Sequence, residues 1–189
     1  MRYKKNFYYT NIEYSNNKES EAGSSFNKEN KIFIDDFHTF LEKHYSWPSS
    51  IVEFGADFGA RLNGLKVDEK LAVEFDHVAE LYYQKHSKTP AIFFQTLEDF
   101  IERQTKTTVL FDCGFFLDFF LYCDTDNYYS LISKMLEYCD FLFLVSKDLT
   151  SHEMAKKVEN KNLSLTEVEM DSVYSYLIIE KKGGSGNGK

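Results

Sequence analysis

The chain is short of most features that would tie it to a membrane, a metal or a nucleic acid. Its three cysteines, Cys113, Cys123 and Cys139, are odd in number and have no CxxC spacing. That argues against a disulfide frame or a zinc site and suits small buried hydrophobes in a reducing, cytoplasmic setting. No apolar run approaches the roughly 18 residues needed to span a bilayer. The opening MRYKKNFYYTNIEY has no apolar signal core and no small-residue cleavage site, so no secretory signal is expected. Positive charge is scarce: 22 Lys and Arg face 30 Asp and Glu, for a net charge of −8. That leaves no general attraction to nucleic acid or to an anionic membrane. The five histidines, His38, His44, His77, His86 and His152, show no HxxxH or HxH spacing, so no metal site is expected.

What is present suffices for one globular domain. At 189 residues the chain can bury a single sizeable core, and 43% hydrophobic and 17% aromatic content exclude a disordered chain. Residues 1–31 read as a flexible arm or substrate lid, because YSNNKESEAGSSFNKEN (14–30) is polar and aperiodic. The arm carries six Lys and Arg against four Glu, and Tyr8, Tyr9 and Tyr14 give it aromatic contact surface. Residues 32–182 form the body, and GGSGNGK (183–189) has the composition of a linker.

In the body, Phe37, Phe40, Leu41 and Tyr45 make a helical stripe that Trp47-Pro48 ends. Short apolar runs then read as strands near 50–54, 70–74, 90–94, 107–112 and 140–146. Helical patterns fall between them at Val78, Leu81 and Tyr82, at Leu97, Phe100 and Ile101, and at Leu131, Ile132, Met135 and Leu136. Alternating strand and helix predicts a doubly wound, Rossmann-like α/β sheet, mostly parallel. After a short helix near 151–158, LSLTEVEM and VYSYLIIEKK are separated only by Asp171-Ser172, too short for a crossover, so an antiparallel C-terminal hairpin is expected.

The most informative stretch is SSIVEFGADFG, residues 49–59: an apolar run with Glu53 near its end opens into a glycine-bracketed turn. Nineteen residues after Gly55, the run LAV ends at Glu74. A strand, a tight loop at a helix start and a second strand with an acidic end make up the arrangement by which open α/β folds bind adenosine-type cofactors.

In order along the chain, IVEFGADFGARL, LAVEFD, FFQTLED, TTVLFDCGFF and the closing YSYLIIEKK hairpin resemble a class I S-adenosylmethionine-dependent methyltransferase over residues 32–182. The resemblance implies a methionine-cradling loop at Gly55, Ala56, Asp57 and Gly59. It also implies a ribose contact at Glu74 with Phe75 beside it, and an adenine contact at Thr96, Leu97 and Glu98. Asp112, expected at the end of the fourth strand, would face the methionine group and the reactive methyl. The family loop usually reads G-x-G-x-G, and this one has Asp57 at the middle glycine. Aspartate tolerates the left-handed backbone better than most residues, and its carboxylate can accept from an ammonium. GADFGA lacks the spacing for a pyrophosphate, which Asp57 would repel.

Each candidate has a plainer explanation. Glu53 could orient the loop or the methionine ammonium, or simply bond to backbone; Glu74 could be a strand-end charge, with Asp76 competing for its role. Asp112-Cys113-Gly114 could be an ordinary turn. FFLDFFLY (115–122) reads as core or as the wall of an apolar pocket, with Asp118 a candidate base or a residue facing water. His77, just past Glu74, is a candidate catalytic residue or a helix cap. The function implied is methyl transfer to a small-molecule acceptor, a sugar or natural-product intermediate, by a monomer or homodimer with no nucleic-acid, membrane or metal partner. The alternative is an inactive methyltransferase-like binding module.

Overall fold

The computed structural model describes residues 22–75, 79–80, 83, 89–103, 110–118, 128–146, 162–168 and 174–182. Outside them fall His77, Cys123, the arm tyrosines, Val78, Leu81 and Tyr82, the expected helix near 151–158, Asp171-Ser172 and the tail.

The elements run α1 (Ala22–His44), β1 (Ser50–Phe54), α2 (Ala60–Gly64), β2 (Glu69–Glu74), β3 (Ala91–Phe93), α3 (Leu97–Glu102), β4 (Phe111–Leu117), α4 (Tyr128–Met135), β5 (Cys139–Ser146), β6 (Leu163–Val168) and β7 (Ser175–Lys181). The strands form one seven-stranded sheet in the order β3-β2-β1-β4-β5-β7-β6. β1 pairs in parallel with β2 and β4, β2 with β3, and β4 with β5. β7 is antiparallel to both β5 and β6, as the two closing runs predicted.

Alternation along the strands divides the core. On one face Val52 and Phe54 of β1 pack with Phe100 of α3 and with Leu131, Ile132 and Met135 of α4. On the other, Ile51 packs with Phe33, Phe37, Phe40 and Leu41 of α1 and with Leu62 of α2. There Tyr176 stacks on Phe40 at 4.2 Å, and its hydroxyl donates to Asp36 Oδ2 at 2.8 Å. Helix α1 begins at Ala22, so the boundary expected at residue 31 falls inside a helix. The buried stripe of Phe33 and Phe37 reaches back one turn to buried Asn30, a polar residue that hides the periodicity.

The fourth strand is the main correction. It was expected at 107–112 and runs Phe111–Leu117, with Cys113, Gly114 and Phe115 opposite Ile51, Val52 and Glu53. Gly114 is no turn. A side chain there would lie 2.8 Å from Cys139 Sγ and 2.9 Å from Phe54, so glycine lets this central strand pass between its neighbours.

Candidate functional site

The carboxyl ends of β1, β2, β3 and β4 meet at one edge of the sheet, where open α/β folds gather ligands. The β1–α2 loop turns sharply there, with Gly55, Asp57 and Gly59 at φ 68°, 51° and 71°. Asp57 adopts the left-handed backbone that a glycine would otherwise supply. A Cβ at Gly55 would lie 2.8 Å from the Phe116 ring, and one at Gly59 would collide with the Tyr83 hydroxyl. Both glycines therefore let the loop lie close against its own protein.

Glu74 fastens the loop. Its Oε2 accepts from Asp57 N–H at 2.5 Å and its Oε1 from Phe75 N–H at 2.6 Å. Gly55 N–H donates to Val73 O at 2.8 Å, which ties the loop to β2 a second time. Phe75 packs with Phe94 and Phe100 in an aromatic wall. Thr96 caps α3, its hydroxyl accepting from Asp99 N–H at 3.0 Å, and Leu97 and Glu98 open that helix just past β3. The residues expected to hold ribose and adenine thus share one edge with the loop.

Beneath the loop lies Glu53, fully buried. Its Oε1 accepts from Arg61 Nε at 2.6 Å, and the same guanidinium donates to Gly55 O at 3.2 Å. Oε2 of Glu53 is buried with no hydrogen-bond partner. Burial pushes the carboxyl up to about 7, Arg61 pulls it down, and Asp57 adds a smaller upward push.

Asp112 does not join this site. Because β4 begins at Phe111, Asp112 sits at its start, roughly 20 Å of strand from the ligand edge. Its Oδ2 accepts from Ser49 N–H at 2.6 Å, Ser49 Oγ at 2.8 Å and Ser50 N–H at 3.1 Å. Burial disfavours its charge, but these bonds outweigh that and hold the carboxyl below its usual range. It braces the entry to β1. The strand end that Asp112 was expected to occupy belongs to Asp118, at φ 56°, whose N–H donates to Val145 O at 2.7 Å.

The sequence reading missed Arg61 and Tyr174. Arg61 follows the loop by two residues, and an arginine there beside a buried acid two residues before the first glycine was the available signal. Tyr174 lies buried just ahead of β7, with Phe33 packed edge-on at 5.6 Å. Burial pushes its hydroxyl up to about 12, with Asp118, Glu29 and Asp36 adding to that and Arg61 opposing it. Among the described residues no group of His, Cys, Asp and Glu could hold a metal ion, and no helix is long and apolar enough to cross a membrane.

No family model matches the sequence, and no curated protein matches it significantly. Solved structures do. One is an S-adenosylmethionine-dependent methyltransferase from Clostridium acetobutylicum, at TM-score 0.59 and 8% identity, covering 79% of this chain and 91% of the other. Another is the plantazolicin methyltransferase BpumL in complex with SAH, at TM-score 0.57 and 13% identity, covering 89% and 88%. A third is the N-methyltransferase NodS from Bradyrhizobium japonicum with S-adenosyl-L-homocysteine, at TM-score 0.53 and 14% identity, covering 78% and 83%. The fold is that of the class I S-adenosylmethionine-dependent methyltransferases.

Proposed function

We propose that the protein binds S-adenosylmethionine at the β1–α2 loop and transfers its methyl group to a small molecule. The observation that carries this reading is the pairing of the loop with two acids at the ligand edge: Glu53 buried beneath it with an unpartnered oxygen, and Glu74 fastened across it. The donor set suits the cofactor, because carboxylates at 53, 57 and 74 against the single guanidinium of Arg61 favour a ligand with ammonium and sulfonium charge over a pyrophosphate.

Glu53 would take the ammonium, Gly55, Ala56, Asp57 and Gly59 the methionine backbone, and Glu74 the ribose. Phe75, Thr96, Leu97 and Glu98 would border the adenine. When bound, the cofactor supplies a methyl group activated on sulfur. The chain's own contribution is positioning, which can supply on the order of 7–11 kcal/mol of a barrier. Asp118, at the end of β4, takes the place first assigned to Asp112 and would accept a proton from an acceptor that must lose one. His77 remains a sequence-based candidate. A small-molecule acceptor is supported by neighbours of the same fold whose names specify plantazolicin and magnesium protoporphyrin IX methylation.

Isothermal titration of the folded protein with S-adenosylhomocysteine tests the reading. One site per chain supports it, and no heat across the millimolar range would sink it. One observation favours an inactive binding module instead: Arg61 occupies both Glu53 Oε1 and Gly55 O, acceptors that a ligand ammonium would use. No turnover of S-adenosylmethionine on a broad acceptor panel, together with a stable protein partner in a pulldown, would select that second reading.

A further inference from the structure

The acceptors beneath the β1–α2 loop are held by a cation of the chain itself. Arg61, in α2 directly after the loop, donates from Nε to Glu53 Oε1 at 2.6 Å and from Nη2 to Gly55 O at 3.2 Å. The Glu53 side chain is fully covered and that of Arg61 is 11% exposed, so Arg61 is the member of the pair that reaches solvent.

The grip is incomplete. A guanidinium holds a carboxylate best through two parallel N–H bonds. Here Nε meets the carboxylate and Nη2 meets a carbonyl, and Glu53 Oε2 stays buried with no hydrogen-bond partner.

Two oxygens bridged by one cation can be bridged by another. An ammonium has three N–H donors and can bond Glu53 and Gly55 O together. Taking the cation from a buried carboxylate without replacing it is costly, and the displaced cation is itself stabilised by a new anion. A ligand head with an ammonium and a carboxylate on the same carbon meets both demands. Its ammonium replaces Arg61 at Glu53, and its carboxylate offers the guanidinium a two-bond partner. Glu53 keeps a cation throughout, and the net charge of the protein site is unchanged.

We propose that Arg61 selects the cofactor by ion-pair exchange: on binding, the ligand ammonium takes Glu53 and Gly55 O while Arg61 turns from Glu53 to the ligand carboxylate. The proposal rests on the reading that the loop binds S-adenosylmethionine, and adds that the site demands the whole amino-acid head. An adenosine thioether lacking either charge leaves Arg61 on Glu53 and binds through its nucleoside half alone.

The test is isothermal titration of the full chain with four ligands. They are S-adenosylhomocysteine, aminopropyl-thioadenosine (the same molecule without its carboxylate), carboxypropyl-thioadenosine (without its amine) and methylthioadenosine (without either). Wild type binds S-adenosylhomocysteine about tenfold more tightly than each of the other three. In Arg61→Met the preference over aminopropyl-thioadenosine falls to within about twofold, a coupling between one side chain and one ligand group that general loosening of the loop would not produce. Near-UV circular dichroism checks folding. Glu53→Gln/Arg61→Met, which strands neither charge of the pair, is read the same way if the single variant unfolds. Equal binding of S-adenosylhomocysteine and aminopropyl-thioadenosine by the wild type, or a tenfold preference kept by a folded variant, overturns the proposal and leaves the proposed function standing. No binding of S-adenosylhomocysteine by the wild type overturns both.

Discussion

Asp112 and Asp118 have the same side chain, lie six positions apart and have opposite places in the molecule. Oδ2 of Asp112 collects three hydrogen bonds from Ser49 and Ser50 at the amino end of the sheet. Charge-assisted bonds to a carboxylate contribute about 1.5–3 kcal/mol, so Asp112→Ala should lower stability by about 2–3 kcal/mol in urea titrations and leave cofactor affinity within about twofold. A cofactor affinity that falls tenfold in folded D112A would return Asp112 to the site. Glu53 makes a pH prediction. Its carboxyl titrates at about 7 in the fold against 4.5 ordinarily, so the folded chain holds that proton more tightly. Its contribution is complete below pH 4.5 and declines as pH rises to 7, on the order of 3 kcal/mol for this fully buried group. Urea midpoints from pH 4.5 to 7.5 should therefore fall more for the wild type than for Glu53→Gln; parallel profiles would contradict the assignment.

Among the elements, the β1–loop–α2 unit was legible because its signals are local: an apolar run, glycines at the turn and an acid nearby in sequence. β1, β2, β3 and β5 match their expected positions to within one residue. β4 did not. It is a central strand buried between β1 and β5, so it lacks the alternation of a half-exposed strand, and its Gly114 and phenylalanine run imitate a turn and a helix. The β-branched Thr107-Thr108-Val109 drew the expected start of the strand four residues ahead of Phe111. The loop carries its own prediction. Gly59 has φ 71° and no room beside Tyr83. Gly59→Ala should cost about 2–3 kcal/mol, and in a Tyr83→Ala background only the backbone share of about 1–2 kcal/mol should remain. Equal losses in both backgrounds would show that Tyr83 is not what excludes a side chain.

At the scale of the whole molecule, the sheet order puts two regions on one edge: the loop, Glu74 and the β3 end on one side, and Asp118 and the start of β7 on the other. Strand alternation and the C-terminal hairpin made that architecture readable. Tyr174 was not readable, because its place comes from a contact between elements far apart in sequence: Phe33 of α1 meets it ahead of β7 only after the sheet has formed. The most direct test of the central claim is a crystal structure with S-adenosylhomocysteine. It should show the homocysteine end enclosed by Gly55 to Gly59, the ribose hydroxyls on the Glu74 carboxylate and the sulfur turned toward Asp118. A ligand bound away from the loop, or a loop and Glu74 unchanged around an absent ligand at saturating concentration, would contradict it.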